Sequence, residues 1–598
     1  MKKFLGIVIV LGIVAGLVAL FMPSQKEEAI TVTTAAPVGD PAQYFPADTG
    51  FYYHLSHIQA ITKAFPKSPA GRLFSKETLL SIMQEMQVSP EKMQKFEDDM
   101  DRRADFLASS HFQALFGDSI TWGVLPLDLD AIAADCDGDI TIPRLFSALE
   151  PYVVFISTPP APVTLQTFAA INPAMMVTQE EIDGLTLIKV SRPEKGPLLY
   201  GYIDGNHVLF SPSSKAIQIC VNSKKTGNNL RNTPYLAQSE QYWANYPADR
   251  TYYRIYMNIE SVLQSFNAVK DPGLTETFAK LNIKDFLDLY QGFEYTAGLL
   301  YTTDQTLESP SMVSFNLEKL HPAMKAGILG AEKGKKNTGL HLLDRHPLFY
   351  YCGMYLNLGH AFNHYKKDPA MAEKVESGVQ EILGLSTTEI AEALGPQHGF
   401  TLDTIVNDGI FPIPTMSFWV DARNPATVKK ALNHVKQLST EKGKAPGEEQ
   451  VAGSTMLHWL LMPGDAGQPA VALHKDTLYL TTSVSLMRAI LNNSADPAVV
   501  PQKARERLGA ELSARLERAD GFAVGYPGQF AEPLQNIIEF GNKLHRGGDN
   551  PVQTIKKELG IFLKSMDHVT YYCNVEGNRM NCVAAIKWAP PATATRSE

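Results

Sequence analysis

Tyr200-Gly201-Tyr202-Ile203-Asp204-Gly205-Asn206-His207-Val208-Leu209-Phe210-Ser211 sets two runs of strand-forming residues around Asp204-Gly205-Asn206. A turn of that composition permits the positive backbone φ a tight connection needs, so the stretch reads as an antiparallel hairpin. Another run, from Leu185 to Val190, precedes it and completes a three-strand pattern with Leu198 to Ile203 and His207 to Phe210. Ser213-Ser214 then offers a hydroxyl cap to a helix that reaches Cys220. The same order returns downstream. Runs from Thr455 to Leu461, Ala470 to Leu473 and Thr477 to Leu480 are closed by Ser483 and a helix to Leu491.

Working outward, the two stretches share their surroundings as well. Phe51-Tyr52-Tyr53 and Leu55-Ser56 open the first half ahead of an apolar helix; Phe349-Tyr350-Tyr351 and Leu356-Asn357 open the second. Ser56 and Asn357 stand where an N-cap would accept free backbone N–H groups. Ala114-Leu115-Phe116-Gly117, a run from Tyr152 to Ile156 and Pro162-Val163 match Ala393-Leu394-Gly395, a run from Met416 to Val420 and Pro425-Ala426. Runs from Tyr252 to Met257 and from Phe522 to Tyr526 follow. Long hairpins at Phe293 to Leu317 and Val569 to Trp588 close the halves. This conserved order predicts a tandem duplication. Clustered helices and short strands joined by tight turns predict α+β halves, each a mostly antiparallel sheet with packed helices and one solvated face.

At 598 residues the chain exceeds a single core, and 44% apolar with 20% charged residues is ordinary globular composition. A net charge of -9 without a Lys/Arg block gives nucleic acid no electrostatic footprint. Met1-Lys2-Lys3 precedes an unbroken apolar run from Phe4 to Met22, long enough for a helix to span a bilayer core of ~30 Å. The lysines predict a cytoplasmic N-terminus and an exported remainder. A cleavable signal peptide is the rival reading, but its apolar region is shorter and ends at small residues, whereas this run ends Leu20-Phe21-Met22-Pro23. The expectation is a bacterial inner-membrane, single-pass protein with its bulk in the periplasm. Within the anchor, Gly12 and Gly16 make a small-xxx-small pair suited to close helix packing, hence to a homodimer; glycine is also simply common in membrane helices. The predicted organisation is 1–3 cytoplasmic, 4–22 anchor, 23–43 linker and 44–317 first repeat. A connector over 318–345, a second repeat over 346–590 and a tail over 591–598 complete it.

Phe45-Pro46-Ala47-Asp48-Thr49 before an aromatic strand, the hairpin from Tyr200 to Ser211 and the run from Ala472 to Ser483 resemble a family of bacterial exported proteins, the DUF3352-like set of unknown function. The resemblance is loose, extends over most of residues 44–590 and carries no catalytic residues. The second half departs from it, with Asp344-Arg345-His346-Pro347 where Pro46-Ala47-Asp48-Thr49 stands in the first.

Signatures of common enzymes are missing: no Gly-x-Ser-x-Gly elbow, Walker loop, His-Glu-x-x-His helix or dinucleotide glycine pattern is present. His360 and His364 stand four apart, as two ligands on one helix face would, with Cys352 upstream; exposed helix histidines are the plainer reading. Asp135-Cys136-Asp137-Gly138-Asp139 starts like a calcium loop, but Ile140 and Phe146 occupy positions that need Gly and Glu. His54, His57 and Asp48 lie close in sequence without a nucleophile and read as structural. No cofactor and no metal are expected. Around Glu576-Gly577-Asn578-Arg579, a two-residue turn pairs Cys573 with Cys582 at a non-hydrogen-bonded position, predicting a disulfide in an oxidising compartment. Two buried thiols are the alternative.

These readings lead to a non-catalytic envelope protein, a binding or scaffold module with a protein partner. The alternatives are a carrier or sensor of an apolar envelope molecule, lined by Tyr252, Tyr253, Tyr256 and Phe349, Tyr350, Tyr351, and an envelope hydrolase with a site built from distant residues.

Overall fold

A computed structural model describes residues 39–135, 148–171, 175–191, 197–280, 283–303, 305–330, 339–353, 358–365, 369–407, 412–462, 464–493, 495–544 and 553–590. They divide into two compact units that part between Leu320 and His321; the first also takes the start of the helix Gln553–Lys564, as far as Glu558. The fold is α+β, built on antiparallel pairing.

In the first unit the strands are β1 (Phe51–Ser56), β2 (Ser119–Val124), β3 (Val153–Ser157), β4 (Met176–Ile182), β5 (Leu185–Ser191), β6 (Pro197–Asp204), β7 (His207–Ser211), β8 (Thr251–Asn258), β9 (Phe293–Thr302) and β10 (Thr306–Phe315). They pair in the order β4-β5-β6-β7-β3-β2-β1-β8-β9-β10. In the second unit they are β11 (Phe349–Gly353), β12 (Leu394–Asn407), β13 (Pro412–Ala422), β14 (Gly447–Val451), β15 (Ser454–His458), β16 (Ala470–His474), β17 (Thr477–Thr481), β18 (Gly521–Gly525), β19 (Met566–Glu576) and β20 (Arg579–Trp588). Their order is β14-β15-β16-β17-β13-β12-β11-β18-β19-β20. The two orders are the same, position for position.

One face of each sheet forms the main core. In the first unit Tyr52, Val154, Ile156, Leu209, Tyr256 and Tyr295 pack under the helices Ser214–Thr226 and Pro234–Trp243. In the second, Tyr350, Trp419, Ala472, Tyr479, Phe522 and Val524 pack with the helices Val484–Leu491, Gln502–Leu508 and Ala510–Leu516. Ser213 and Ser483 cap the first helix of each set, their hydroxyls accepting from Ala216 N (3.3 Å) and Leu486 N (3.1 Å).

Several sequence readings are corrected. Ser56 ends β1 instead of capping a helix: His57, in the left-handed region at φ 59°, occupies the N-cap position of Ile58–Ala64 and makes no side-chain cap bond. Asn357 lies outside the described residues. The C-terminal end of the segment read as linker is folded: Asp40 caps the short helix Pro41–Gln43 and Ala42 is buried. The predicted connector also folds at its C-terminal end, since Leu340, Leu342 and Leu343 enter the second core. β15 stops at His458, so Trp459, Leu460 and Leu461 leave the strand predicted to hold them. Phe4 to Met22, with Gly12 and Gly16, lies outside the described residues; among those described, no helix is long and apolar enough to cross a membrane.

Candidate binding face

Strand alternation sends the residues next to the core positions to the opposite face of each sheet. That face was expected to be solvated and polar. It instead carries a row of aromatic side chains. In the first unit Phe51 and Tyr53 of β1 meet Trp122 of β2, with ring centroids 4.8 and 5.5 Å apart; Trp122 is 6.4 Å from Phe155 of β3, and Tyr53 stacks on Tyr253 of β8 at 5.2 Å. In the second unit Phe349 and Tyr351 of β11 meet Phe400 of β12 at 5.4 and 5.8 Å, and Phe400 stacks on Phe418 of β13 at 5.9 Å.

The register makes these rows equivalent. Tyr53 stands opposite Trp122, which stands opposite Phe155; Tyr351 stands opposite Phe400, which stands opposite Phe418. Such ring pairs contribute about 0.5–1.5 kcal/mol beyond their area. They are not sealed: most are half-buried, while Phe418 is 43% and Leu480, opposite it on β17, 44% exposed. Each row is closed at one end. Phe116 and Phe168 cover Phe210 of β7 in the first unit, and Val428 and Leu432 reach Leu473 and Leu478 in the second. Of the aromatic residues singled out in the sequence, Tyr253, Phe349 and Tyr351 line this face, whereas Tyr256 and Tyr350 are buried in the cores.

Cys573 and Cys582 are opposite one another on β19 and β20, as the turn predicts, and Gly577 takes φ 62° to form that turn. They share the face of Tyr351 and Tyr571 and are both thiols here, 6% and 5% exposed. A hydrogen bond from Cys573, aided by Tyr571 and opposed by burial, pulls the Cys582 thiol below the usual thiol range. Cys352 and Cys220 are buried in the cores, and burial pushes the Cys352 thiol up to about 12. The side chains of His360 and His364 and residues 136–140 lie outside the described residues. Among those described, no group of three or more His, Cys, Asp or Glu side chains is arranged to hold a metal.

The remaining histidines are dispersed. His54 points to the core side and shares a 2.8 Å hydrogen bond with Thr121 Oγ1. His57 is 3.7 Å from Asp118, whose hydrogen bond raises its pKa against burial. Asp48 lines a separate hollow of about 280 Å³ with Thr233, Tyr235, Asn258 and Glu260. Two polar clusters have the composition of catalytic groups. Tyr44 Oη donates to Asp204 (3.1 Å), and Lys224 Nζ donates to the same carboxylate oxygen (2.7 Å). Burial opposes ionisation of Asp204, but Lys224, Tyr44 and His207 together outweigh it and lower the pKa. Tyr44 is fully buried, and this knot fastens it to Asp204 at the end of β6. Ser454 Oγ lies 2.9 Å from His474 Nδ1, the spacing of a nucleophile and its base. Among the described residues no carboxylate orients His474, and the pair joins two hairpin ends. Ser454→Ala is therefore expected to cost about 1 kcal/mol in a urea titration, and labelling of Ser454 by a fluorophosphonate would count against that structural role.

The chain matches no known family model and no curated protein. Among solved structures, crystal forms III and I of TP0453 are similar at 10% and 8% identity, each covering 48% of this chain, and 84% and 82% of the TP0453 chain. At a TM-score of 0.21 that likeness carries no argument about fold or function.

Proposed function

We propose that this is a non-catalytic, membrane-anchored module of the bacterial envelope. Two tandemly duplicated halves each offer an aromatic sheet face to an apolar molecule, such as the acyl part of a lipid or lipoprotein. The observation that carries the reading is the equivalence of Phe51, Tyr53, Trp122 and Phe155 with Phe349, Tyr351, Phe400 and Phe418. Core packing alone supplies no reason to keep rings on the face away from the core, left half-open, in both copies. The common strand order supports duplication, and the DUF3352-like resemblance fits an exported location. A scaffold for an envelope protein is the second reading, favoured by the same exposed side chains.

Native mass spectrometry of the full chain in mild detergent, followed by solvent extraction, tests this reading. One apolar species is expected at near-stoichiometric ratio. Phe418→Asp combined with Leu480→Asp, both at exposed positions, is expected to reduce its retention about tenfold, roughly 1.4 kcal/mol. Empty wild-type protein, or retention indifferent to the double variant, would leave the scaffold reading alone.

An oxidising periplasm would also close Cys573–Cys582. Peptide maps under non-reducing conditions should then show residues 573 and 582 linked, and reduction should lower stability by about 2–3 kcal/mol for so short a loop. Two free thiols in chain isolated from the envelope would dismiss the crosslink.

A further inference from the structure

The connection from β15 to β16 differs in sequence from its equivalent in the first unit. Between β5 and β6 stands Arg192-Pro193-Glu194-Lys195-Gly196, a charged sequence. Between β15 and β16 the chain runs Trp459-Leu460-Leu461-Met462 before it meets Asp465. Leu460 is 74% exposed, Leu461 63% and Met462 37%. Three consecutive apolar side chains directed at water are the largest such exposure among the described residues.

The loop that carries them is fixed. Trp459 N donates to Pro469 O at 3.0 Å, and the N–H groups of Leu461 and Met462 both donate to Gly467 O at 3.2 Å. Gly467 is required there, since a methyl group on it would come within 2.7 Å of Met462 Cβ. Asp465 ties the base of the loop to the next helix, accepting from Ser485 N at 3.0 Å and from the Ser483 hydroxyl. Ala466 and Gly467 are buried beneath it. The N–H groups of Trp459, Leu461 and Met462 are thus satisfied internally, which lowers the cost of moving this segment toward hydrocarbon, and no charged side chain lies between His458 and Asp465 to resist that transfer.

We propose that Trp459-Leu460-Leu461-Met462 is a membrane-docking loop that inserts into the acyl boundary of a lipid bilayer. The inference rests on the anchor reading of residues 4–22. From Met22 the chain reaches Gly39, where the described residues begin, through residues 23–38, at most about 55 Å when extended. A folded part so tethered meets the bilayer as an intramolecular partner, at effective concentrations on the order of mM, so a weak apolar insertion becomes occupied. Aliphatic side chains with one Trp match the interfacial region of a bilayer, where Trp is enriched.

The test uses the full chain in its own membranes, with a photocrosslinking residue introduced as Leu461→p-benzoylphenylalanine and, as a control, at exposed Lys429. Mass spectrometry of the illuminated protein is expected to find phospholipid adducts at position 461 at least about tenfold above position 429. Leu460→Asp with Met462→Asp should abolish that excess, with an unchanged circular dichroism spectrum confirming that the variant folds. Adducts to a protein, or no lipid excess at 461, overturn the proposal. The N-terminal peptide mass reports on the anchor separately. If residues 1–22 are removed and the chain is released, adducts on added phosphatidylethanolamine–phosphatidylglycerol vesicles uphold the loop without the anchor, and their absence overturns it.

Discussion

Trp419→Ala is expected to remove about 3–5 kcal/mol of stability, the top of the range for a buried aromatic. Trp419 is 2% exposed on the core side of β13, with Tyr350 5.3 Å away. Its cavity has little means of collapsing, because its neighbours on two sides are glycines. A methyl group on Gly399 would come within 2.2 Å of the indole, and one on Gly339 within 2.5 Å. Backbone cannot move in to replace the indole ring. The indole N–H has no hydrogen-bond partner among the described residues, so it is held at a desolvation cost. Trp419→Phe should therefore cost clearly less than Trp419→Ala, since it discards that unsatisfied donor and keeps one ring. Gly399→Ala gives the converse failure. The added carbon would also fall 2.3 Å from Tyr351 O, and overpacking against a strand backbone costs about 1–3 kcal/mol or more. Urea midpoints of the three variants measure all of this. A Trp419→Ala loss below about 1 kcal/mol would mean the site repacks, contrary to the glycine geometry.

Glycine on the core side also explains why the aromatic face was not legible in the sequence. In β2, Ser119-Ile120-Thr121-Trp122-Gly123-Val124 puts its bulk at Ile120, Trp122 and Val124, so a rule that large apolar residues point inward assigns the strand backwards. Thr121 and Gly123 face the core because Phe45 fills the space there, its ring 2.6 Å from where a Cβ on Gly123 would lie. β12 repeats the inversion, with Gly399 and Thr401 inward and Phe400 and Leu402 outward. Only long-range packing decides such a face. Strands β4 and β14 were missed for a different reason. Thr178-Gln179-Glu180-Glu181 and Glu448-Glu449-Gln450 are polar, as suits the last strand of each order, where charge discourages further pairing. Hairpins were legible because their signal is local. Gly577-Asn578 fixes a register that places Cys573 opposite Cys582, and no distant residue intervenes.

Acid should destabilise the second unit, and His341 should be the main cause. Its side chain is 5% exposed, and Nδ1 has no hydrogen-bond partner among the described residues. Burial, then Lys475 and His474, push its pKa from the ordinary 6.5 down to about 4, with Asp496 opposing. A histidine with a folded pKa below its unfolded pKa is protonated first in the unfolded chain. Stability is then flat above about pH 6.5 and falls as pH drops from there towards 4. A displacement of this size corresponds to about 3 kcal/mol lost by pH 4. His474 has a lowered pKa too, chiefly from burial, but it is more open and contributes less. His341→Leu removes the titrating group while filling a similar volume between Leu340 and Leu342. In urea titrations between pH 4 and 7.5, the variant should match wild type to within about 1 kcal/mol at pH 7.5 and exceed it by about 2–3 kcal/mol at pH 4. Parallel pH curves for the two proteins would show that His341 finds a partner for its proton and that the acid sensitivity originates elsewhere.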